Sequence, residues 1–392
     1  MKKLWILFSL TVLLLGADGD LENYLRKEKN QLLDYQQQSN ILQTGKLQRS
    51  WIAPVTVSYQ KDWHPMPDGS TRTTRAFSIG IDQPIFKSGG ILFGLRYAHF
   101  LRQANAQEIA LQKRQWIAQA VEILFRYHKT RLQRRKLTLL VANDAIAVRR
   151  QESMYQAGMI DSSLLDQTIL NHHRDSASLL DLDLALAQLR ASFAYLSDKN
   201  IDKLRLPRLK LITLKQYATH DLKLAAEKLH ALEKRSSSRM TWAQYLPTVT
   251  AYGHYRYSDE KHPGTMSTSK NYGVRISMTL SPNAPADIET ARIAYLQAQA
   301  QVRDRRKTLQ AEYRLALTAL RILDRKIALA KRDEALYRRL LQSTRDLVQA
   351  GEKTEDDLQT MRNAQAIKRL DRRIYELDKQ IELLKLYARM AP

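Results

Sequence analysis

Two stretches decide the fold of this chain: Tyr155-Gln156-Ala157-Gly158-Met159-Ile160-Asp161-Ser162-Ser163-Leu164-Leu165 and Val348-Gln349-Ala350-Gly351-Glu352-Lys353-Thr354-Glu355-Asp356-Asp357-Leu358. In each stretch a long helical pattern runs into Gln-Ala-Gly, and glycine readily adopts the left-handed backbone conformation that ends a helix. Three residues later, Asp161 or Thr354 offers a side-chain oxygen that caps a new helix. Each stretch therefore predicts a helical hairpin.

The two tips belong to a tandem repeat. Gly351 follows Gly158 by 193 residues (351 minus 158). The same offset relates four further pairs: Leu165 and Leu358, Pro54 and Pro247, Tyr59 and Tyr252, Gly80 and Gly273. We expect a first repeat over residues 20–197, a connector over 198–218 and a second repeat over 219–392. A period this long lies outside the range of ordinary solenoid repeats, so the repeats are two halves of one object.

The beginning of the chain has the pattern of a secretory signal peptide. Met1-Lys2-Lys3 is followed by an apolar run over residues 4–15 and then by Gly16-Ala17. A basic start, a short apolar core and small residues are typical of a cleaved leader, here predicted over residues 1–19. The chain contains no cysteine, which excludes disulfides, cysteine zinc sites and thiol catalysis. We therefore expect an exported protein.

Each repeat pairs a strand hairpin with very long helices. After a lead-in helix, apolar and polar residues alternate over 55–83, and the pattern returns over 248–281. Neither proline nor glycine occurs between Gly94 and Gly158, so a helix of about 100 Å is predicted there at 1.5 Å per residue. A seam of apolar residues with a seven-residue period follows the first tip: Leu165, His172, Leu179, Leu186 and Phe193. The chain is therefore predicted to be mainly α-helical, with coiled-coil helices and four strands.

The four strands suggest a membrane barrel shared between copies of the chain. Two-face alternation and terminal Tyr and Trp residues are typical of membrane-barrel strands, although a soluble sheet with one buried face has the same alternation. Exposed strand edges are not tolerated in lipid, and four strands cannot close a barrel, so copies must combine. A trimer would supply twelve strands and leave a lumen. The pattern then favours conduction through a barrel continued by an α-helical tunnel.

These features resemble the TolC family of outer-membrane efflux proteins. The resemblance covers residues from about 20 to the end, and its most specific elements are the two tips and Gln83-Pro84-Ile85-Phe86-Lys87-Ser88-Gly89 after the second strand. The second repeat departs from that turn, with Leu280-Ser281-Pro282-Asn283-Ala284-Pro285. The resemblance implies a homotrimer in the outer membrane of a Gram-negative bacterium, with a twelve-stranded barrel among its lipids and a tunnel in the periplasm. It implies partners as well: a periplasmic adaptor and an inner-membrane pump of RND, ABC or MFS type.

The resemblance also implies a gate at the second tip. Family members carry an acid six residues after the tip glycine, which is Asp357 here; the family's next acid position holds Thr360, and Asp356 is an adjacent candidate. Three copies of a carboxylate around an axis would attract cations and repel anions. The alternative role is local, because acids in the first helical turn stabilise the helix dipole and complete the cap.

Further roles follow from the resemblance at the tips. Lys353 matches a position that bridges to a neighbouring hairpin, with Asp161 and Asp166 as its partners. A solvated surface lysine is the alternative, because exposed pairs are weak. The residues expected to dock the adaptor are Ala157, Gly158, Met159, Ala350, Gly351 and Glu352.

Other functional classes are less well supported. A periplasmic coiled-coil adaptor or structural protein would need one hairpin, whereas this chain has two. The net charge of +23 makes nucleic-acid binding a function to consider. However, the basic residues are scattered along the helices, and an exported protein meets little nucleic acid. His172 and His173 are adjacent and point to different sides of a helix, and no catalytic or phosphate-binding motif occurs. We therefore expect neither an enzyme nor a cofactor.

Overall fold

A computed structural model describes residues 24–261 and 265–391. The predicted leader and the residues His262-Pro263-Gly264 lie outside this part of the chain. The chain forms two compact units: one contains residues up to 33, 111–221 and 308 onward, and the other contains residues 34–110 and 222–307. We call them the helical unit and the sheet-bearing unit. Within the described residues, no helix combines the length and hydropathy of a membrane-spanning segment.

The order of elements repeats once along the chain. Its helices and strands are α1 (Lys27–Arg49), β1 (Thr56–Pro65), β2 (Thr71–Phe86), α2 (Gly90–Gln156), α3 (Ser162–Ala194), α4 (Leu214–His220), α5 (Leu222–Gln244), β3 (Thr248–Lys261), β4 (Thr265–Ser277), α6 (Ala284–Gln349) and α7 (Glu355–Tyr387). The prediction of helices too long for a globule is confirmed, since α2 has 67 residues and α6 has 66. The returning helices α3 and α7 both have 33 residues and start 193 residues apart (355 minus 162).

Both hairpin tips have the predicted geometry. Gly158 has φ +68° and Gly351 has φ +79°, so both are in the left-handed region. The Asp161 carboxylate caps α3 by accepting from the backbone N–H groups of Ser163 and Leu164. Thr354 caps α7 in a reciprocal capping box with Asp357. Each tip is therefore fixed by a glycine that ends one helix and a side chain that starts the next.

Substituting the tip glycines should destabilise the protein through the backbone alone. No atom lies within 4 Å of a Cβ added at Gly158 or Gly351, so Gly→Ala there introduces only left-handed strain, about 1 kcal/mol at each site. The matched control is Gly94→Ala inside α2, where φ is negative and the nearest atom is 3.7 Å away. The control should stabilise by about 0.5 kcal/mol. Urea titrations check both signs, and equal effects at tip and helix would contradict this account.

The connector between the repeats is more regular than predicted. Residues 198–218 contain a 3-10 turn (Ile201–Lys203) and the start of the helix α4, instead of a fully irregular segment. The physical reason is a second capping box, in which Thr213 and Gln216 satisfy each other's backbone N–H groups.

The four strands form one antiparallel sheet in the order β1-β2-β3-β4. Its register places apolar side chains on one face, in rows such as Tyr59–Phe77–Tyr257 and Val57–Ile79–Tyr255. The opposite face carries small and polar residues, including Asp82 and His254, whose side chains are 2.9 Å apart. Neither outer strand, β1 nor β4, has a second partner among the described strands. The sheet is therefore two-faced and open at both edges.

The repeat is not exact within the sheet. Tyr59 lies on the apolar face with Phe77, whereas its repeat equivalent Tyr252 pairs with Gly273 and lies on the polar face. At an offset of 193 residues the equivalent of Phe77 is Lys270, but Lys270 pairs with Tyr255, three residues beyond Tyr252. The register of the second hairpin therefore differs from that of the first by three residues, and a slip by an odd number of residues exchanges the two faces. Tyr252 fits there because Gly273 has no side chain: a Cβ at Gly273 would lie 2.8 Å from the tyrosine hydroxyl.

The turn motif after the second strand has a structural explanation. The Gln83 side chain accepts from the Ala53 backbone N–H at 2.9 Å and donates to the Trp51 carbonyl at 3.0 Å. It thereby fastens the end of β2 to the segment that enters β1. Further along, the Ser88 hydroxyl donates to the Pro247 carbonyl at 2.7 Å, where β3 begins. The motif therefore ties the two strand hairpins together at their helical end.

The long helices of the helical unit lie side by side in the order α3-α2-α7-α6. Arg134 on α2 pairs with Asp183 on α3, Lys136 on α2 pairs with Asp371 on α7, and Arg372 on α7 pairs with Glu334 on α6. Of the apolar seam predicted on α3, Leu186 and Phe193 are buried, whereas Leu165, His172 and Leu179 are half-buried. On α6, Leu309 and Leu320 are buried as well. The helices α3 and α6 are therefore the two outer members of this layer.

Candidate functional site: the paired hairpin tips

A ladder of polar contacts joins the two helical hairpins along α2 and α7. Its rungs are Lys129–Asp378 (2.7 Å), Lys136–Asp371 (2.7 Å), Asn143–Asn363 (2.7 Å) and Arg150–Asp357 (2.6 Å). On α2 the rungs recur every seven residues, which keeps them on one face of the helix. Because α2 ends at the first tip and α7 begins at the second, the ladder holds the two tips level.

The last rung contains Asp357, the predicted gate residue. Asp357 accepts from Arg150 through one carboxylate oxygen and from the Thr354 backbone N–H and hydroxyl through the other. The Arg150 hydrogen bond, followed by the contacts to Thr354, lowers the pKa of Asp357 to about 2. Asp356 lies 3.7 Å from Arg149, in a looser ion pair. The carboxylate of Asp357 therefore both caps its helix and binds the neighbouring hairpin.

The other predicted tip residues do not take part in the Arg150–Asp357 contact of the single chain. Asp161 is occupied by its capping bonds, which lower its pKa, the Ser163 hydroxyl contributing most. Asp166 and Lys353 are exposed, and the described part of the chain contains no ion pair between Lys353 and either Asp161 or Asp166. The lysine bridge stays a prediction for contacts between copies.

The residues expected to dock an adaptor are all exposed at the tips: Ala157, Gly158, Met159, Ala350, Gly351 and Glu352. Met159 is 73% exposed, which makes it the largest apolar side chain offered there. These residues are accessible to a partner, and their role stays a prediction.

The sequence analysis missed Arg149 and Arg150. A usable signal existed: if both hairpin tips lie level, basic residues just before Gly158 must face acids just after Gly351. The repeat predicts two hairpins, but it does not predict that α2 packs against α7 rather than against α6. Without that neighbour relation the arginines could not be matched to the acids.

The tip ion pair should be insensitive to pH across the neutral range. Because the folded pKa of Asp357 is depressed to about 2 from an ordinary value of 3.8, its stabilisation is present above about pH 4 and lost as pH falls through about 2. We expect the difference in melting temperature between wild type and Asp357→Asn to stay constant from pH 8 to pH 5. No difference in melting temperature at any pH in this range would show that the Asp357 carboxylate is not stabilised by Arg150, because the carboxylate is ionised throughout the range.

Two exposed apolar seams run along the outer helices of the layer. On α3, Leu170, Leu180 and Leu184 are 59–70% exposed. On α6, four residues at seven-residue spacing are 45–71% exposed: Leu315, Ile322, Leu329 and Leu336. A heptad seam on a helix is the signature of a coiled-coil contact. Each outer helix therefore presents an apolar seam that is uncovered in the single chain.

The two outer helices carry opposite net charge. The helix α3 has four aspartates and two arginines, a net charge of −2, whereas residues 308–349 of α6 have nine basic and five acidic residues, a net charge of +4. Asp181 beside the α3 seam and Arg325 and Arg332 beside the α6 seam are exposed. Measured along the chain from the tip glycines, Asp181 lies between the levels of these two arginines. The α3 and α6 seams are therefore complementary in charge and in height.

Comparison with known proteins gives a consistent result at the level of fold. No protein-family model matches the sequence, and no curated protein is significantly similar to it. Among solved structures, the CmeC outer membrane channel of Campylobacter jejuni has a TM-score of 0.76 at 14% identity, covering 94% of this chain and 84% of that one. The outer membrane protein VceC of Vibrio cholerae has a TM-score of 0.73 at 12% identity, with 93% and 94% covered.

A third structure, the open state of the MtrE outer membrane channel of Neisseria gonorrhoeae, has a TM-score of 0.70 at 13% identity and covers 95% of this chain and 87% of that one. At these identities the likeness establishes the fold. The chain therefore has the fold of TolC-like outer-membrane channels, and the predicted fold class is confirmed.

Proposed function

We propose that this protein is an outer-membrane channel that serves as the passive exit duct of a tripartite efflux pump or a type I secretion system. The proposal rests on two observations of unsatisfied surfaces. The two-faced sheet has two edge strands without a second partner among the described strands, and the helical layer has an exposed apolar seam on each outer helix. Association with further copies of the chain would pair the edge strands and cover both seams. The fold of the outer-membrane neighbours supports the location in the outer membrane.

Closure into a ring follows from the two kinds of seam. Since α3 differs from α6, a contact between them is head-to-tail, and a head-to-tail contact either closes into a ring or continues into a filament. Three copies supply twelve strands and twelve long helix segments, enough for a barrel with a lumen and a tunnel wall. The apolar face of the sheet then contacts lipid, and the polar face with Asp82 and His254 lines the lumen.

The entrance of the tunnel lies at the tips. In the proposed trimer, three Asp357 carboxylates and three Asp356 carboxylates surround the axis, and Arg150 and Arg149 of the same chain compensate their charge. The pairs hold the second hairpin of each chain against the first, which is the closed arrangement. Opening requires these pairs to separate, and separation exposes the carboxylates to cations at the entrance. An adaptor that docks on the exposed tips is positioned to drive this step, with an inner-membrane pump as the energy source.

The competing function is a soluble periplasmic adaptor or structural coiled coil. Separation of inner and outer membranes from cells that express the full chain distinguishes the two. We expect the protein in the outer-membrane fraction, extracted only by detergent and running as a trimer. Recovery in the soluble periplasmic fraction as a monomer would reject the channel and support the adaptor.

A further inference from the structure

A cleft of about 690 Å³ lies between α2 and α3, away from the tips. Four arginines and two aspartates line it: Arg131, Arg134, Arg135, Arg190, Asp183 and Asp202. The first three arginines occupy positions i, i+3 and i+4 on one face of α2. Its floor is apolar, formed by Tyr127, which is 1% exposed, and Leu186, which is 7% exposed. The cleft is therefore a cationic wall over a buried aromatic floor.

The two aspartates accept hydrogen bonds from only some of the guanidinium donors in the cleft. Asp183 is taken by Arg134 through two hydrogen bonds, so that pair is self-contained. Asp202 accepts a short hydrogen bond from the Tyr127 hydroxyl at 2.5 Å, the main cause of its lowered pKa, while Arg190 and Arg131 lie 3.5 and 4.0 Å away. These long contacts leave most of the guanidinium donors of Arg131 and Arg190 free.

Among the arginines of the cleft, Arg135 is the one most available to bind a ligand. It is exposed, it lines the cleft, and it forms no ion pair with any residue in the described part of the chain. Four arginines against two aspartates leave the cleft wall with a net charge of +2. This excess of positive charge attracts anions to the cleft, and the planar guanidinium fork suits carboxylate and phosphate groups.

The cleft opens on the same side of the layer as the connector. Asp202 of the connector reaches Tyr127 on α2, and further along the connector the backbone N–H of Leu209 donates to Gln380 on α7 and Tyr313 on α6 donates to the Ile212 carbonyl. The connector thus crosses α2, α7 and α6 on one side. In the proposed tunnel the layer of long helices forms the wall, and the connector that crosses this layer lies on the outside. The cleft, which opens on the same side, is therefore separated from the lumen.

We propose that this cleft is a binding site for a multivalent oxyanion, whose phosphate or carboxylate groups are held by Arg131, Arg135 and Arg190. The volume lies in the range of small-molecule sites, and the buried Tyr127 ring helps to orient Arg131 and Arg190, whose guanidinium carbons lie 6.0 and 5.4 Å from the ring centroid. The site is built within one chain, so the inference holds whether or not the chain conducts.

Isothermal titration calorimetry of the full-length protein in detergent tests this proposal, with pyrophosphate as the phosphate probe and citrate as the carboxylate probe. We expect saturable binding of at least one probe, one per chain, weakened at least tenfold in the double variant Arg131→Gln/Arg135→Gln. The probe that binds identifies the class of oxyanion. The matched control is Arg102→Gln, an exposed arginine on the same helix α2 outside the cleft, which should bind as wild type.

Absence of saturable binding for both probes, or equal affinity in wild type and the double variant, would overturn the proposal. Equal weakening by Arg102→Gln would overturn it too, because binding would then report only net charge. If the double variant melts below wild type, the single variant Arg135→Gln provides the same comparison, since Arg135 is exposed and forms no ion pair in the described residues.

Discussion

Arg150→Glu should open the tunnel entrance. The substitution replaces a 2.6 Å ion pair between Arg150 and Asp357 by two like charges on facing helices. Exposed pairs contribute about 0.5 kcal/mol, and reversal adds a repulsion of about the same size. Three copies act on one entrance, so about 3 kcal/mol shifts the closed state toward the open state, roughly a hundredfold. We expect single-channel conductance in a planar bilayer to rise at least threefold.

The control for this substitution is Arg174→Glu on α3. Its side chain is 71% exposed, and the ion pair that it forms joins it to the adjacent Asp175, away from the α2–α7 ladder. The charge change is the same, so conductance that rises equally in both variants would show a general field effect. Conductance unchanged in Arg150→Glu would show that the Arg150–Asp357 pair does not hold the entrance closed.

Leu180→Glu/Leu184→Glu should abolish assembly. Both leucines lie on the exposed seam of α3, 70% and 59% exposed in the single chain, so the change leaves the chain's own core intact. Burying two carboxylates in the apolar strip of a contact between copies costs several kcal/mol per interface, repeated at each interface of the ring. Pairing with Arg325 or Arg332 at the edge of the strip offsets this cost only in part. The substitution also places negative charge among apolar residues that the seam of α6 must cover. We expect monomers, measured by light scattering in detergent.

Two further variants make this result specific. Leu329→Glu, on the α6 seam, should break the same interface from its other side. Leu211→Glu in the connector, where the leucine is 53% exposed and belongs to neither seam, should leave the oligomer intact. Trimers in the α3 variant, or monomers in all three variants alike, would refute the contact between α3 and α6.

Much of the fold could be predicted because its determinants are local. The tips follow from a glycine and a capping side chain a few residues apart, and α2 follows from the lack of helix-breaking residues between Gly94 and Gly158. The core positions Leu186 and Phe193 follow from a seven-residue period. The second strand extends to Phe86, three residues beyond the hairpin predicted over 55–83, because Pro84 and Phe86 still pair with β3.

The candidate site was harder to predict because it depends on which helices are neighbours. Asp357 was found through a resemblance, and its capping role through the local pattern. Its partner Arg150 lies 207 residues earlier in the chain, and only the packing of α2 against α7 joins them. The arginine cleft depends in the same way on Asp202 reaching back to Tyr127. The seven-residue spacing of the α2 rungs is visible in the sequence, but the sequence does not show which distant helix they face.

The central claim is that copies of this chain form a membrane channel, and planar-bilayer recording of the detergent-purified wild-type protein tests it most directly. We predict discrete, uniform conductance steps from trimeric protein, and loss of the steps in the monomeric variant Leu180→Glu/Leu184→Glu. Absence of conductance from wild-type protein that is soluble without detergent and not trimeric would contradict the claim.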